Sequence, residues 1–260
     1  MGYFENKIEN KMSVNEDLRL KLLSPPKDQI RVVMDTDTFN EIDDQFAIVQ
    51  MMLSPDRLKV EAIYAAPFYN DRANDPGHGM ELSYDEIIRL LERLKISSKG
   101  LVHKGVTKYV GPEKRAREAA AVDDLISRAN SGSSDNPLYV LAIGAISNVA
   151  SAIIKAPEII DRIVVVWLGG HALHWPHTKE FNLMQDVGGA QVLFDSGVPL
   201  VMVPVLGGTF QLHSTVPEIE RYIEPHGSIG EFLAMRFKEY SVDHKAWSKE
   251  IWDMAAVAWV

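Results

Sequence analysis

The stretch Arg31-Val32-Val33-Met34-Asp35-Thr36-Asp37-Thr38-Phe39-Asn40-Glu41-Ile42-Asp43-Asp44-Gln45-Phe46-Ala47-Ile48-Val49 places four aspartates and a glutamate within the ten positions from Asp35 to Asp44, with apolar runs on both sides. Ile30 to Met34 reads as a short buried strand, and from Phe46 onward apolar residues recur at helical spacing. The acidic residues therefore occupy a turn at a strand's carboxyl end, which is where open α/β sheets bind ligands. Carboxylates this close repel one another, and partial burial makes each charge costlier, so protons or a cation must hold them together. Oxygen ligands with no cysteine nearby suit a hard ion, Ca2+ or Mg2+, rather than zinc or copper. The plainer alternative has Asp43 and Asp44 favouring the positive end of a helix, with Asp35 and Asp37 as turn residues.

The surrounding chain supports one α/β domain. Its 260 residues, 46% apolar and 24% charged, suit a single sizeable core. A net charge of −9 argues against nucleic acid or an anionic membrane as the main partner. The absence of cysteine rules out disulfides and thiolate metal sites. With no apolar stretch long enough to cross a bilayer and no apolar segment of a signal peptide at the N-terminus, the expected location is cytoplasmic. Residues 1–29 are charged, carry Pro25-Pro26, and read as an N-terminal extension made of a short helix and a linker; the domain proper is residues 30–260.

Strand-like and helix-like segments alternate along that domain. Leu58 to Ala66 reads as a strand running into Pro67-Phe68-Tyr69-Asn70-Asp71. Asp75-Pro76-Gly77-His78-Gly79 reads as a flexible loop placed to act as a lid, followed by a helix over 84–95. A short strand at Leu101 to Gly105 and a helix over 115–130 come next. Leu138 begins an apolar strand that ends in a small-residue turn, with Ser147 or Asn148 capping the following helix. Ile163 to Leu168 has the continuous apolar character of a buried parallel strand, and it ends in Gly169-Gly170. Helices over 187–195, 216–226 and 229–240 and a strand over 198–205 complete an open, mostly parallel sheet flanked by helices, a Rossmann-like core. His171, His174 and His177 invite a zinc reading, but Pro176 breaks any helix that would align them.

Three motifs compete for the acidic turn. An EF-hand loop counted from Asp35 would need glycine and glutamate where Asn40 and Phe46 stand, and so fails. A magnesium phosphatase of the haloacid dehalogenase type would use Asp35 as nucleophile and Asp37 as acid, but Phe39 stands at its fifth position and Asp123-Asp124 is a poor late acidic pair. The third reading is the best match. Strand, Asp35-x-Asp37, short loop, Asp43-Asp44 and helix resembles the N-terminal signature of the inosine-uridine preferring nucleoside hydrolases. Asn70 falls where that family carries an asparagine after the second strand. Ile143-Gly144-Ala145 with Ser147-Asn148-Val149-Ala150 is similar to its small-residue turn and Thr-Asn-(Ile/Val)-Ala helix opening. Glu180-Phe181-Asn182 matches its Glu-Phe-Asn motif, with Asp186 following, and Trp252-Asp253-Met254-Ala255-Ala256-Val257-Ala258 resembles its His-Asp-Pro-Leu-Ala-Val-Ala. The chain departs from the pattern twice. Five residues, Thr38 to Ile42, separate the acidic pairs where three are usual, and Trp252 stands in place of histidine.

The resemblance spans residues 30 to 260 and implies a calcium-dependent hydrolase of ribonucleosides. It implies Ca2+ held by Asp37, Asp44, Asp253 and the main-chain carbonyl of Ile143, with Asp35 nearby as support. Asp37 would be the general base for a calcium-bound water. Asp43, Asn70, Glu180 and Asn182 would bind the ribose hydroxyls. Trp252 would stack on the base or pack against the core, and His174, with Trp175 and His177, would offer an acid or a stacking face. The products would be ribose and a free base, as in purine or pyrimidine salvage, and the protein would be a dimer or tetramer. Family members usually continue past the equivalent of Val260, and the chain stops within an apolar helical run, so the resemblance implies that C-terminal elements are missing and leaves the far wall of the site open. A relative that binds nucleoside or ribose without turnover is the remaining alternative, motivated by Trp252 and the longer acidic loop.

Overall fold

Strands and helices alternate along the computed structural model, which describes residues 14–260; the first 13 residues of the expected N-terminal extension lie outside that range. The strands are β1 (Ile30–Thr36), β2 (Leu58–Ala65), β3 (Val102–Lys104), β4 (Leu138–Ala142), β5 (Ile163–Leu168), β6 (Leu200–Val203), β7 (His213–Ser214) and β8 (Lys249–Glu250). The helices are α1 (Glu16–Leu22), α2 (Asp43–Met52), α3 (Pro76–Leu94), α4 (Ala120–Asn130), α5 (Ser147–Lys155), α6 (Phe181–Gln185), α7 (Val187–Asp195), α8 (Val216–Tyr222), α9 (Gly227–Glu239) and α10 (Met254–Trp259).

Strands β1 to β6 form one parallel sheet in the order β3-β2-β1-β4-β5-β6, and β7 pairs antiparallel with β8. The chain builds outward from β1 to one edge, then returns to β4 and builds toward the other. This puts the topological switch point, and the crevice beyond it, between the carboxyl ends of β1 and β4. Period-two alternation buries both faces. Val32 and Met34 of β1, Leu141 of β4 and Val164 and Val166 of β5 join one apolar cluster with α2, α3, α9 and α10. Val33, Val140, Val165 and Trp167 join the other, with α4, α5 and α7.

Three local expectations are corrected. Residues 75–79 are not a lid: α3 begins at Pro76, and Asp75 caps it by accepting from the His78 N–H at 2.9 Å. Proline is well suited to a helix's first position, where its missing N–H would be unpaired anyway. The loop-like composition also hides a packing demand, because a Cβ on Gly79 would lie 2.0 Å from the Phe68 carbonyl oxygen. The helix expected over 115–130 begins only at Ala120. Neither Ser147 nor Asn148 caps α5, since both side chains are committed to tertiary hydrogen bonds described below.

Candidate functional site

The end of β1 delivers the acidic turn to the switch point. Asp35 pairs in register with Ala142 of β4, and the Ile143 N–H donates to the Asp35 carbonyl at 2.8 Å, so the two strands end level. Asp37 follows, closed against the β4 end: a Cβ on Gly144 would stand 3.0 Å from Asp37 Cγ. Any larger residue there would crowd the Asp37 carboxylate. The turn is pinned by the Asn40 N–H donating to the Asp37 carbonyl at 2.7 Å, and α2 then starts at Asp43, keeping Asp43 and Asp44 in its first turn. From the far end of the chain, α10 packs near α2 and brings Asp253 to the same place.

Asp37, Asp43, Asp44 and Asp253 are each at most 3% exposed. Among the described residues, Asp43, Asp44 and Asp253 form a group whose carboxylate oxygens lie within 4.8 Å of one another. The expected set had Asp37 in place of Asp43; Asp37 stands beside this trio and interacts electrostatically with all three. Among the described residues, neither oxygen of the buried Asp37 carboxylate has a hydrogen-bond partner. Burial, then repulsion from Asp44 and Asp43, holds Asp37 well above the usual carboxylate range. Burial, then Asp43, Asp44 and Asp37, does the same to Asp253. Burial and Asp43 push Asp44 up to about 8, although the Thr36 hydroxyl donates to it at 2.5 Å. Burial raises Asp43 to only about 6, because Lys249 draws it back down.

Asp35 is fully buried and points to the other face, where Asn148 Nδ2 donates to it at 2.7 Å. Burial pushes it up to about 7 against that bond. The same Asn148 accepts from the Val106 N–H at 2.8 Å and donates to the Ala65 carbonyl at 3.3 Å, tying β1, β2 and the segment after β3 together. A carboxyl held this way supports the turn and is poorly placed to act as a nucleophile.

The residues expected to hold the sugar arrive from three elements. Asn70, half-buried after β2, donates to Asn40 Oδ1 at 2.7 Å and accepts from the Arg72 N–H at 2.9 Å. Glu180 caps α6, accepting from the Asn182, Leu183 and Gly170 N–H groups at 2.9, 2.8 and 2.7 Å. Those bonds orient Asn182, whose Nδ2 donates to the Ile143 carbonyl at 3.2 Å and the Leu168 carbonyl at 3.0 Å. Asn182 thus spans the ends of β4 and β5. Asp186 is a fastener, accepting from Ser147 Oγ at 2.6 Å and from the N–H groups of Val110, Gly111 and Gly189 at 2.8, 3.0 and 2.9 Å.

Trp252 is half-buried next to Asp253, and its buried indole N–H has no partner among the described residues. His174 is exposed and meets Trp175 edge-on, with ring centroids 6.5 Å apart, and it makes no hydrogen bond among the described residues. The three histidines build no zinc site. His171 Nδ1 accepts from the Leu206 N–H at 3.3 Å and its Nε2 bonds the Lys179 carbonyl at 3.1 Å, so both ring nitrogens are engaged.

Two residues escaped the sequence reading. Asn40 lies inside the acidic loop, 8% exposed, and anchors Asn70. Lys249, 4% exposed, pairs with Glu41 at 2.6 Å and lies over the Trp252 ring at 4.2 Å. Only charge balance could have signalled it, since five clustered carboxylates call for a cation from somewhere in the chain.

Comparison with known proteins bears on the family and the fold. The model of the inosine-uridine preferring nucleoside hydrolase family matches residues 81–260. An uncharacterized protein of Schizosaccharomyces pombe is 32% identical over 127 residues, covering 47% of this chain and 40% of that protein. The pyrimidine-specific ribonucleoside hydrolase RihA of Escherichia coli is 29% identical over 136 residues, covering 49% and 43%. These matches therefore span less than half the length of the curated relatives. Among solved structures, a purine-preferring ribonucleoside hydrolase from Gardnerella vaginalis superposes with a TM-score of 0.71 at 25% identity, covering 88% of this chain and 78% of that one.

Proposed function

The chain belongs to the inosine-uridine preferring nucleoside hydrolase family, and from that premise we propose that it hydrolyses the N-glycosidic bond of ribonucleosides to ribose and free base. The observation that carries this reading is Asp37, a buried carboxylate at the switch point with neither oxygen hydrogen-bonded among the described residues and three more buried aspartates around it. Such a group persists in a fold only if it is protonated or matched by a cation. The donors fit a hard divalent ion, taken here as Ca2+. Asp37, Asp44 and Asp253 would hold it together with the Ile143 carbonyl, whose second lone pair is free of the Asn182 bond. When bound, such an ion supplies a local positive charge that makes an adjacent water more acidic.

Asp37, with oxygens that no protein donor occupies, would accept the proton of the attacking water. Asp43, Asn70 and Asn182 would hold the ribose hydroxyls, with Asn70 braced by Asn40 and Asn182 oriented by Glu180. Fixing the sugar and surrounding its anomeric carbon with carboxylates both favour an oxocarbenium-like transition state. On the base side, Trp252 offers a flat face and an unpartnered N–H. Because an indole cannot act as an acid, this same residue favours a second reading, a relative that binds nucleoside without turnover.

One assay separates the readings: a panel of purine and pyrimidine nucleosides tested for reducing sugar, with and without a chelator, alongside calorimetric nucleoside binding. Ribose release that a chelator abolishes is the expected result. Tight binding with no release would establish the binding protein, and phosphate release from a generic phosphoester without ribose release would overturn both.

A further inference from the structure

We infer that Lys249 is a resident counter-cation of the acidic cluster, a positioning residue that stands in for part of the charge of the divalent ion and so lowers the site's affinity for that ion. The inference rests on the proposed ion site. It begins from a lysine whose side chain is only 5% exposed in the most acidic part of the molecule. Its Nζ lies 2.6 Å from Glu41 Oε2 and donates to the Glu250 carbonyl at 3.2 Å. The ring of Trp252 is 4.2 Å away and that of Tyr240 is 5.1 Å away.

This cage is built from the two places where the chain departs from the family's pattern. The longer acidic loop contributes Glu41, and position 252 contributes the indole. Both meet the same ammonium, which joins the opening loop to the turn that carries Asp253. Burial alone would depress Lys249, yet the charges of Asp43 and Glu41 overcome this and hold its ammonium in the protonated form.

A fixed positive charge seated beside the carboxylates that would hold a divalent ion opposes the binding of that ion. Lys249 therefore stabilises the ion-free protein more than the ion-loaded one, and removing its charge must tighten ion binding. A simple structural lysine would behave otherwise, because its loss would loosen the site and weaken binding.

The test is calorimetric titration of the full chain with Ca2+ alone, for the unsubstituted protein, Lys249→Gln and Lys249→Arg, with melting temperatures in chelator and in saturating Ca2+. Lys249→Gln keeps a polar side chain beside Glu41 but drops the charge. It should bind Ca2+ about tenfold more tightly, the low end of what one unit charge contributes at a partly buried site, and melt lower in chelator. Lys249→Arg should stay within about twofold. If Lys249→Gln folds only with Ca2+ present, the inference stands in its strongest form. Binding by Lys249→Gln that is unchanged or weaker, or failure to fold even with Ca2+, overturns it. Failure of the unsubstituted protein to bind any divalent ion instead removes the proposed ion site on which it rests.

Discussion

Replacing Asp253 by asparagine should stabilise the ion-free protein while removing its response to a divalent ion. The Asp253 carboxylate lies within 4.8 Å of those of Asp43 and Asp44, and all three are buried. At an effective dielectric of about 20, one pair of like charges at that separation repels by about 3.5 kcal/mol. Burial keeps part of the cluster protonated, which reduces the relief on neutralising one member to about 1–3 kcal/mol. For a domain of this size each kcal/mol moves the melting temperature by about 2–4 °C, so Asp253→Asn in chelator should melt about 5 °C higher than the parent. The loaded state changes in the opposite sense, because the variant has lost a charged oxygen ligand. Scanning calorimetry at about pH 8, where an ordinary carboxylate is fully ionised, with chelator and with Ca2+ added to parallel samples, gives both numbers. A lower melting temperature in chelator, together with an undiminished rise on adding Ca2+, would refute the reasoning. Asp253 would then be an ordinary satisfied core group.

The same electrostatics fix a pH dependence. Asp43 and Asp44 are raised to about 6 and about 8 from ordinary values near 3.8, so their protonated forms stabilise the ion-free fold and that stability is lost as pH rises through each value in turn. Melting temperature in chelator should therefore fall between about pH 4 and 8, whereas saturating Ca2+ should abolish or invert the trend; a flat profile in chelator would count against the shifts. Ion affinity should in turn weaken as pH drops, since binding must release protons from these carboxyls, and titrations at two pH values in buffers of different ionisation enthalpy would detect the release. Asp186→Ala strands four donors, including the Ser147 hydroxyl and the Val110 N–H, and should cost about 2–4 kcal/mol in urea unfolding. It should leave Ca2+ affinity unchanged, and a large loss of affinity would show that Asp186 does more than fasten the loops.

Much of the fold was legible because parallel strands buried on both faces leave a plain trace. Ile163 to Leu168 could hardly be anything but a core strand, and the acidic turn after β1 announced a strand end. The lid assigned to residues 75–79 failed because glycine and proline were read for their flexibility. Here Pro76 serves as the first residue of a helix and Gly79 admits a neighbouring carbonyl. The capping roles given to Ser147 and Asn148 failed for a related reason, since the competing partners, Asp186 and Asp35, are distant in sequence and close in space. The site was legible where residues cluster along the chain, as from Asp35 to Asp44. Lys249 lies more than two hundred positions away, in a segment with no periodicity or motif, and only the folded chain reveals that its charge is spent on Glu41 and Asp43.

Where a divalent ion sits among these oxygens is the most direct question to put to the molecule. Crystals grown with Mn2+ or Ca2+, with anomalous scattering used to locate the ion, should show one peak at the switch point. For Ca2+, oxygens of Asp37, Asp44 and Asp253 and the Ile143 carbonyl should lie at about 2.3–2.6 Å, with Asp43 turned toward Lys249. An ion held by Asp43 in place of Asp37, or no ion at this site at saturating concentration, would contradict the assignment of the metal centre and of the base that works beside it.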